Sequence, residues 1–339
     1  MGICTSKYDN RYLFVIFSYE DVKINLPKVF EKRKVVCLAG GVGGAKLADG
    51  LAQILPPENL TILVNTGDDF QHLGLMICPD LDTVMYRLGG VANDETGWGR
   101  AGESWRTIAE VQRLGGPRWF SLGDLDLATH LIRTNGLVHG ETLTAVTRSL
   151  CQKFKIQPAI LPMSDQPAPT MIATAESVYP FQNWFVEQRW QPPVKAVQLP
   201  EDVRATAAVV NALDQVDYVI IAPSNPFVSI DPILNVYPIR AMVVDLPRAV
   251  VAVSPIVGDK AIKGPAAKMM AEMGLPVSAA AVANHYGELI DKFVYDQQDK
   301  SLAAELDIPT LQTQTIMQTA ADRAQLAAEV LIFAYEESI

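Results

Sequence analysis

The stretch VNTGDDFQHLGLMICPDLDTV, Val64–Val84, holds four aspartates, a histidine and a cysteine. Loop acids commonly satisfy their own turns or start helices, and Asp80, between Pro79 and a helical run, is the better placed of them for an N-cap. That use leaves Asp68, Asp69 and Asp82. A carboxylate pair at the end of a strand and a third in the first turn of the next helix form an oxygen-donor set. Mg2+ takes such ligands, usually one or two carboxylates plus substrate phosphates. Asp82 is expected to face back toward a glycine loop upstream; its plainer use is to complement the helix dipole. His72 is either a satisfied loop histidine or, beside a metal-bound diphosphate, a contact for a substrate hydroxyl.

The upstream loop is AGGVGGAK, Ala39–Lys46. Glycine lets a backbone approach a ligand closely, and the helix that follows aims its first amides at an anion. The spacing is neither the P-loop pattern nor the full dinucleotide signature. Four glycines (Gly40, Gly41, Gly43, Gly44) and the positive charge of Lys46 favour phosphate or diphosphate binding over a plain tight turn.

These residues need a scaffold that brings loops together. VVCLAGG, then a helical run AKLADGLAQIL, then LTILVNT read as strand, glycine loop, helix and strand, the opening of a parallel sheet with a right-handed crossover. The strands ending at Ala222 and near Ser254 repeat the alternation. In such sheets the ligand crevice lies beyond the carboxyl ends of the strands, so these loops should converge. Residues 1–33 read as an N-terminal extension and 34–339 as one α/β domain. Within it 97–183, richer in Trp, His and turn residues, reads as an inserted, mainly helical capping region. Thr319 is the expected cap of the last helix.

With 339 residues, 49% of them hydrophobic, the chain can bury a sizeable core. A net charge of −10 without basic runs argues against nucleic acid, and it means that an anionic substrate needs a metal ion or backbone amides. Four scattered cysteines suit neither a zinc site nor a disulfide framework. No apolar run reaches the ~18 residues of a membrane span and no secretory signal opens the chain, so a cytoplasmic protein is expected.

Together GGVGGAKL, VNTGDDFQHLGLMICPDLDTVMYRL, GWGRAGESW, FSLGDLDLATHLIR, IAPSNPFVSIDPIL, SPIVGDKAIKGPA and HYG, in order from about Val35 onward, resemble the 2-phospho-L-lactate transferase family, called CofD in archaea and FbiA in actinobacteria. The resemblance implies a Rossmann-like parallel sheet flanked by helices, a magnesium requirement and a homodimer. It also implies transfer of a phospholactyl or phosphoenolpyruvyl group from a guanosine-diphosphate-linked donor to the ribityl hydroxyl of the deazaflavin Fo. GMP leaves, and (dehydro) coenzyme F-420-0 forms. Carried over by position, Gly40–Lys46 is the nucleotide loop, with Ser224 and Asn225 near the guanosine end. Asp68, Asp69 and Asp82 hold the metal, and Asp69, Asp68 and His72 are the catalytic candidates. Trp98, Asp124 and His130 would line the Fo side, although Asp124, Asp126 and Thr129 equally suit helix caps and a lone tryptophan equally suits packing. Pro167–Pro169, Pro180 and Asn183 depart from the side chains familiar in that family. Two other readings stay open: a related glycine-loop protein that binds nucleotide-sugars as a regulator, and an NAD-dependent oxidoreductase.

Overall fold

The computed structural model describes residues 26–336 except 246–248, 259, 262–263, 301 and 303–304. Most of the expected N-terminal extension therefore lies outside the described residues. Six short, largely apolar runs and the more polar TLQT form the strands β1 (Val35–Ala39), β2 (Leu60–Val64), β3 (Ala159–Pro162), β4 (Tyr218–Ile221), β5 (Val250–Val253), β6 (Lys292–Asp296) and β7 (Thr310–Thr313). They make one sheet in the order β3-β2-β1-β4-β5-β6-β7, with every neighbouring pair parallel. This is the doubly wound order with a seventh strand added, and its direction reverses between β1 and β4.

Side chains alternate across the sheet as the pleat requires. Val36 and Leu38 face one core; Val35, Cys37 and Ala39 face the other. The second core is covered by α1 (Gly41–Ile54), α2 (Pro79–Leu88), α4 (Leu143–Lys153) and α5 (Ala320–Tyr335), while α3 (Asp124–Val138) packs outside α4. At Gly50 the helices α1 and α5 cross so closely that a Cβ would stand 2.0 Å from the Arg323 carbonyl oxygen. Thr319 caps α5 as expected, in a capping box with Asp322.

Two boundaries differ from the sequence reading. Within the expected extension, Phe30 is only 1% exposed and packs against Tyr218 and Tyr335, so the chain joins the core before residue 34. The expected insert 97–183 is not continuous, because β3 interrupts it as an edge strand of the main sheet. Helices precede β3, and a small antiparallel sheet of Met171–Ala173, Val178–Pro180 and Ala196–Gln198 follows it. Among the helices, Glu103 accepts from the amides of Leu125 (2.7 Å) and Asp126 (2.8 Å), while Asp124 accepts from those of Arg106 (3.3 Å) and Thr107 (3.1 Å). Each acid caps the other's helix.

Candidate active site

The loops leaving β1, β2 and β4 meet at the switch point. Gly41 takes φ +61°, and a Cβ on Gly43 would stand 2.2 Å from the Pro223 carbonyl oxygen. Gly43 is thus required by close packing onto the β4 loop and Gly41 by its left-handed backbone. Ser224 fastens the two loops, its Oγ accepting from Gly40 N (3.1 Å) and donating to Gly40 O (2.8 Å). Asn225 turns inward to accept from Phe227 N at 3.0 Å. Lys46 donates to the Met317 carbonyl beside α5, so its ammonium is engaged on the side of the C-terminal helix.

Asp80 is not the N-cap of α2; that position is Cys78. Instead the Asp80 carboxylate accepts from Gly41 N (2.6 Å) at the start of α1 and from Asn65 Nδ2 (2.9 Å). An acid therefore already answers the positive end of this helix. Asn65, wholly buried at the end of β2, also donates to Asp68 Oδ1 (3.3 Å), and Gln182 Nε2 donates to Asp68 Oδ2 (3.0 Å). Asp69 lies in the same loop, and its Oδ1 is buried without a hydrogen-bond partner. Among the described residues none forms an ion pair with Asp68, Asp69 or Asp80.

Electrostatics follows from that geometry. Burial, then the charges of Asp80 and Asp69, push the Asp68 carboxyl well above the usual range. Burial does the same to Asp69 against the lowering effects of the Cys78 thiol and Arg133. It raises Asp80 to about 6 despite the hydrogen bonds from Asn65 and Gly41. Two buried acids, Asp68 and Asp80, and the half-buried Asp69, all resisting ionisation and offering oxygen donors only, suit a hard divalent cation.

Asp82 departs from expectation. It faces α3 rather than the glycine loop, in a bidentate pair with Arg133, which is 0% exposed. Beside it, His130 stands 3.6 Å from Asp82 and 3.2 Å from Asp126, and Tyr86 donates to Asp126 at 2.6 Å. Burial opposes ionisation of Asp126 most strongly, but His130, the Tyr86 hydroxyl and the charge of Arg133 together prevail and lower its pKa. Asp82, Asp126 and His130 bring ligand-type atoms within 4.8 Å of one another, a grouping that could hold a metal ion. Arg133 already neutralises Asp82, however, and a second cation there would meet its charge. Arg133, His130 and Asp126 fall on one face of α3 at helical spacing, a signal present in the sequence and missed.

On the expected Fo side, Trp98 is half exposed and packs edge-on to Trp105 at 6.3 Å. His130 is 1% exposed, inside the buried cluster, and Asp124 is used as a cap. Asp126 is no cap, since its carboxylate serves Tyr86 and His130. His72 is buried among Phe70, Trp119 and Phe120, with Nε2 unpartnered and its pKa lowered by burial and by His130. Asn183 pairs with Glu187 at the surface, while its neighbour Gln182 reaches the acids; nothing in the local sequence pattern marked Gln182.

The fold and site define a doubly wound α/β protein with a cluster of acids at its switch point. The family model of 2-phospho-L-lactate transferase CofD matches residues 35–332, and the chain belongs to that family. It is 41% identical over 315 residues to a phosphoenolpyruvate transferase of Streptomyces coelicolor, covering 89% of this chain and 98% of that one. It is 37% identical over 306 residues to a 2-phospho-L-lactate transferase of Methanosarcina mazei, covering 89% and 100%. A crystal structure of a UPF0052-family protein from Bacillus halodurans shares the fold, with a TM-score of 0.59 at 15% identity over 88% of this chain and 99% of that one. No helix among the described residues is long and apolar enough to cross a membrane.

Proposed function

We propose that the protein transfers a phospholactyl or phosphoenolpyruvyl group from a guanosine-diphosphate-linked donor to the ribityl hydroxyl of Fo, as a cytoplasmic homodimer that requires magnesium. The observation that carries this reading is the set of buried Asp68 and Asp80 with half-buried Asp69, without an ion-pair partner among the described residues, at the carboxyl ends of β1, β2 and β4. A diphosphate brought to acids already engaged with the α1 N-terminus would be repelled unless a cation stood between them. Asp80 replaces Asp82 in the ligand set, because Asp82 is committed to Arg133. A magnesium ion held by Asp68, Asp69 and Asp80 would neutralise the diphosphate and the charge developing on GMP.

The chain's own part is positioning and proton transfer. The hydroxyl oxygen of Fo forms a bond to the phosphorus that carries the acyl group. The bond from that phosphorus to the bridging oxygen breaks, and GMP leaves with the electron pair. Asp69, with Oδ1 unpartnered, accepts the hydroxyl proton. His72 Nε2 contacts the same hydroxyl, and Trp98 stacks on the deazaflavin ring. The β1 and β4 loops border the guanosine diphosphate through their main chain, since Ser224 spends its side chain on Gly40 of the β1 loop and Asn225 spends its own on Phe227 N within the β4 loop.

The regulatory reading has less support, because the relatives matched at about 40% identity over most of their length are named as transferases, whereas the UPF0052 likeness is one of fold. The test is to incubate the protein with Fo, magnesium and the lactyl or enolpyruvyl donor, measuring GMP release and product mass. Equimolar GMP and F-420-0, or its dehydro form, is the expected result. No GMP from either donor removes the transferase reading.

A further inference from the structure

Building on the cation site proposed above, we infer that Gln182 is a positioning residue for it, fixing the Asp68 carboxylate from the segment that follows β3. Asp68 is held by amide donors on both oxygens, Asn65 on Oδ1 at 3.3 Å and Gln182 on Oδ2 at 3.0 Å. Both amides are neutral. They fix the direction of the carboxylate and leave its charge uncompensated, which is what a ligand to a divalent cation needs and what a structural acid paired with Lys or Arg lacks.

Gln182 is itself held rigidly. It is 6% exposed and lies between Phe181 (8%) and Trp184 (0%). Phe181 N donates to Thr170 O at 2.9 Å, and Trp184 Nε1 donates to Pro192 O at 2.9 Å. Phe181 stacks on Phe185 with centroids 5.5 Å apart and planes inclined by 8°. The same segment is fastened to the acid loop itself, since Thr170 N donates to Gly67 O, next to Asp68. The rotamer freedom of the glutamine is thus lost on folding and not when a ligand arrives, the condition for a preorganised site. A glutamine serving only to shield Asp68 from water would need neither the anchored flanks nor the second backbone tie.

The test uses Mn2+ in place of magnesium, with free Mn2+ counted by electron paramagnetic resonance during titration of the full chain and no substrate present. Gln182→Met keeps length and packing but removes the donor; it is expected to weaken Mn2+ binding by about tenfold, the low end for loss of a group supporting a ligating carboxylate. Asn183→Ala, one residue away at the surface, should bind as the parent does. If Gln182→Met folds poorly, Gln182→Asn keeps the amide but draws it back by one methylene and should show the same loss. Unchanged affinity in the folded Met or Asn variant overturns the role of Gln182, even if its melting temperature falls. A parent protein that takes up no Mn2+ overturns the cation site and this inference with it, an outcome distinct from the first.

Discussion

At the scale of single residues, the acids that look alike in sequence divide by environment. Asp82 meets a buried guanidinium; Asp68, Asp69 and Asp80 meet only amides, a thiol and one another. Breaking a buried ion pair from one side strands the other charge, typically at about 3–5 kcal/mol. Arg133→Met should therefore destabilise the protein by about that amount, and Asp82→Asn, which leaves Arg133 half-paired, by somewhat less. Chemical denaturation of both variants checks this. A midpoint at the parent value for both would mean that the Asp82–Arg133 pair is not holding α2 to α3. The type of each acid and its place at a strand end were legible from Val64–Val84. Which acid pairs with which cation was not, because Arg133 comes from a helix some fifty residues downstream, across a tertiary contact that local spacing does not encode.

At the scale of elements, the glycines show two competing effects. A mid-helix Gly→Ala change gains about 1 kcal/mol from helix propensity. At Gly50 the added methyl would stand 2.0 Å from the Arg323 carbonyl, a backbone atom that cannot step aside. Overpacking of this kind costs about 1–3 kcal/mol or more, so Gly50→Ala should lower the melting temperature, against the propensity rule. A rise would show that α1 and α5 can separate freely. Strands β1, β2, β4 and β5 and the cap Thr319 were readable from apolar runs and capping chemistry. Strand β3 was lost in the expected insert because AILP is brief and its neighbours are turn-rich, and a strand that short is recognised by the partner it pairs with, here β2. The glycine count in Gly40–Gly44 signalled close approach correctly, but what approaches is the Pro223–Asn225 loop and Asp80.

For the whole molecule, the raised carboxyls link stability to pH. An aspartate has a pKa of about 3.9 in the unfolded chain. Asp80 at about 6, with Asp68 and Asp69 also raised, holds its proton more tightly when folded. Below the unfolded value both states carry the proton and the contribution is complete; as pH rises toward and through the folded values, the unfolded state releases protons first and stability is lost. Acids held low, such as Asp94 and Asp322, gain their stability below this window. In chelator the melting temperature should fall from about pH 4 to about 6, the span between the unfolded and folded values of Asp80, and excess magnesium should restore it at the upper end. A curve that is flat with and without magnesium would contradict the environment described for the three acids. The backbone bond from Thr170 to Gly67 has its own bearing on how the chain matures. It closes a loop of about a hundred residues around the acids, and so distant a closure comes late in folding. Pairing of β2 with β3 closes nearly the same span, so local helices would form first and the cation site would be completed only together with the sheet.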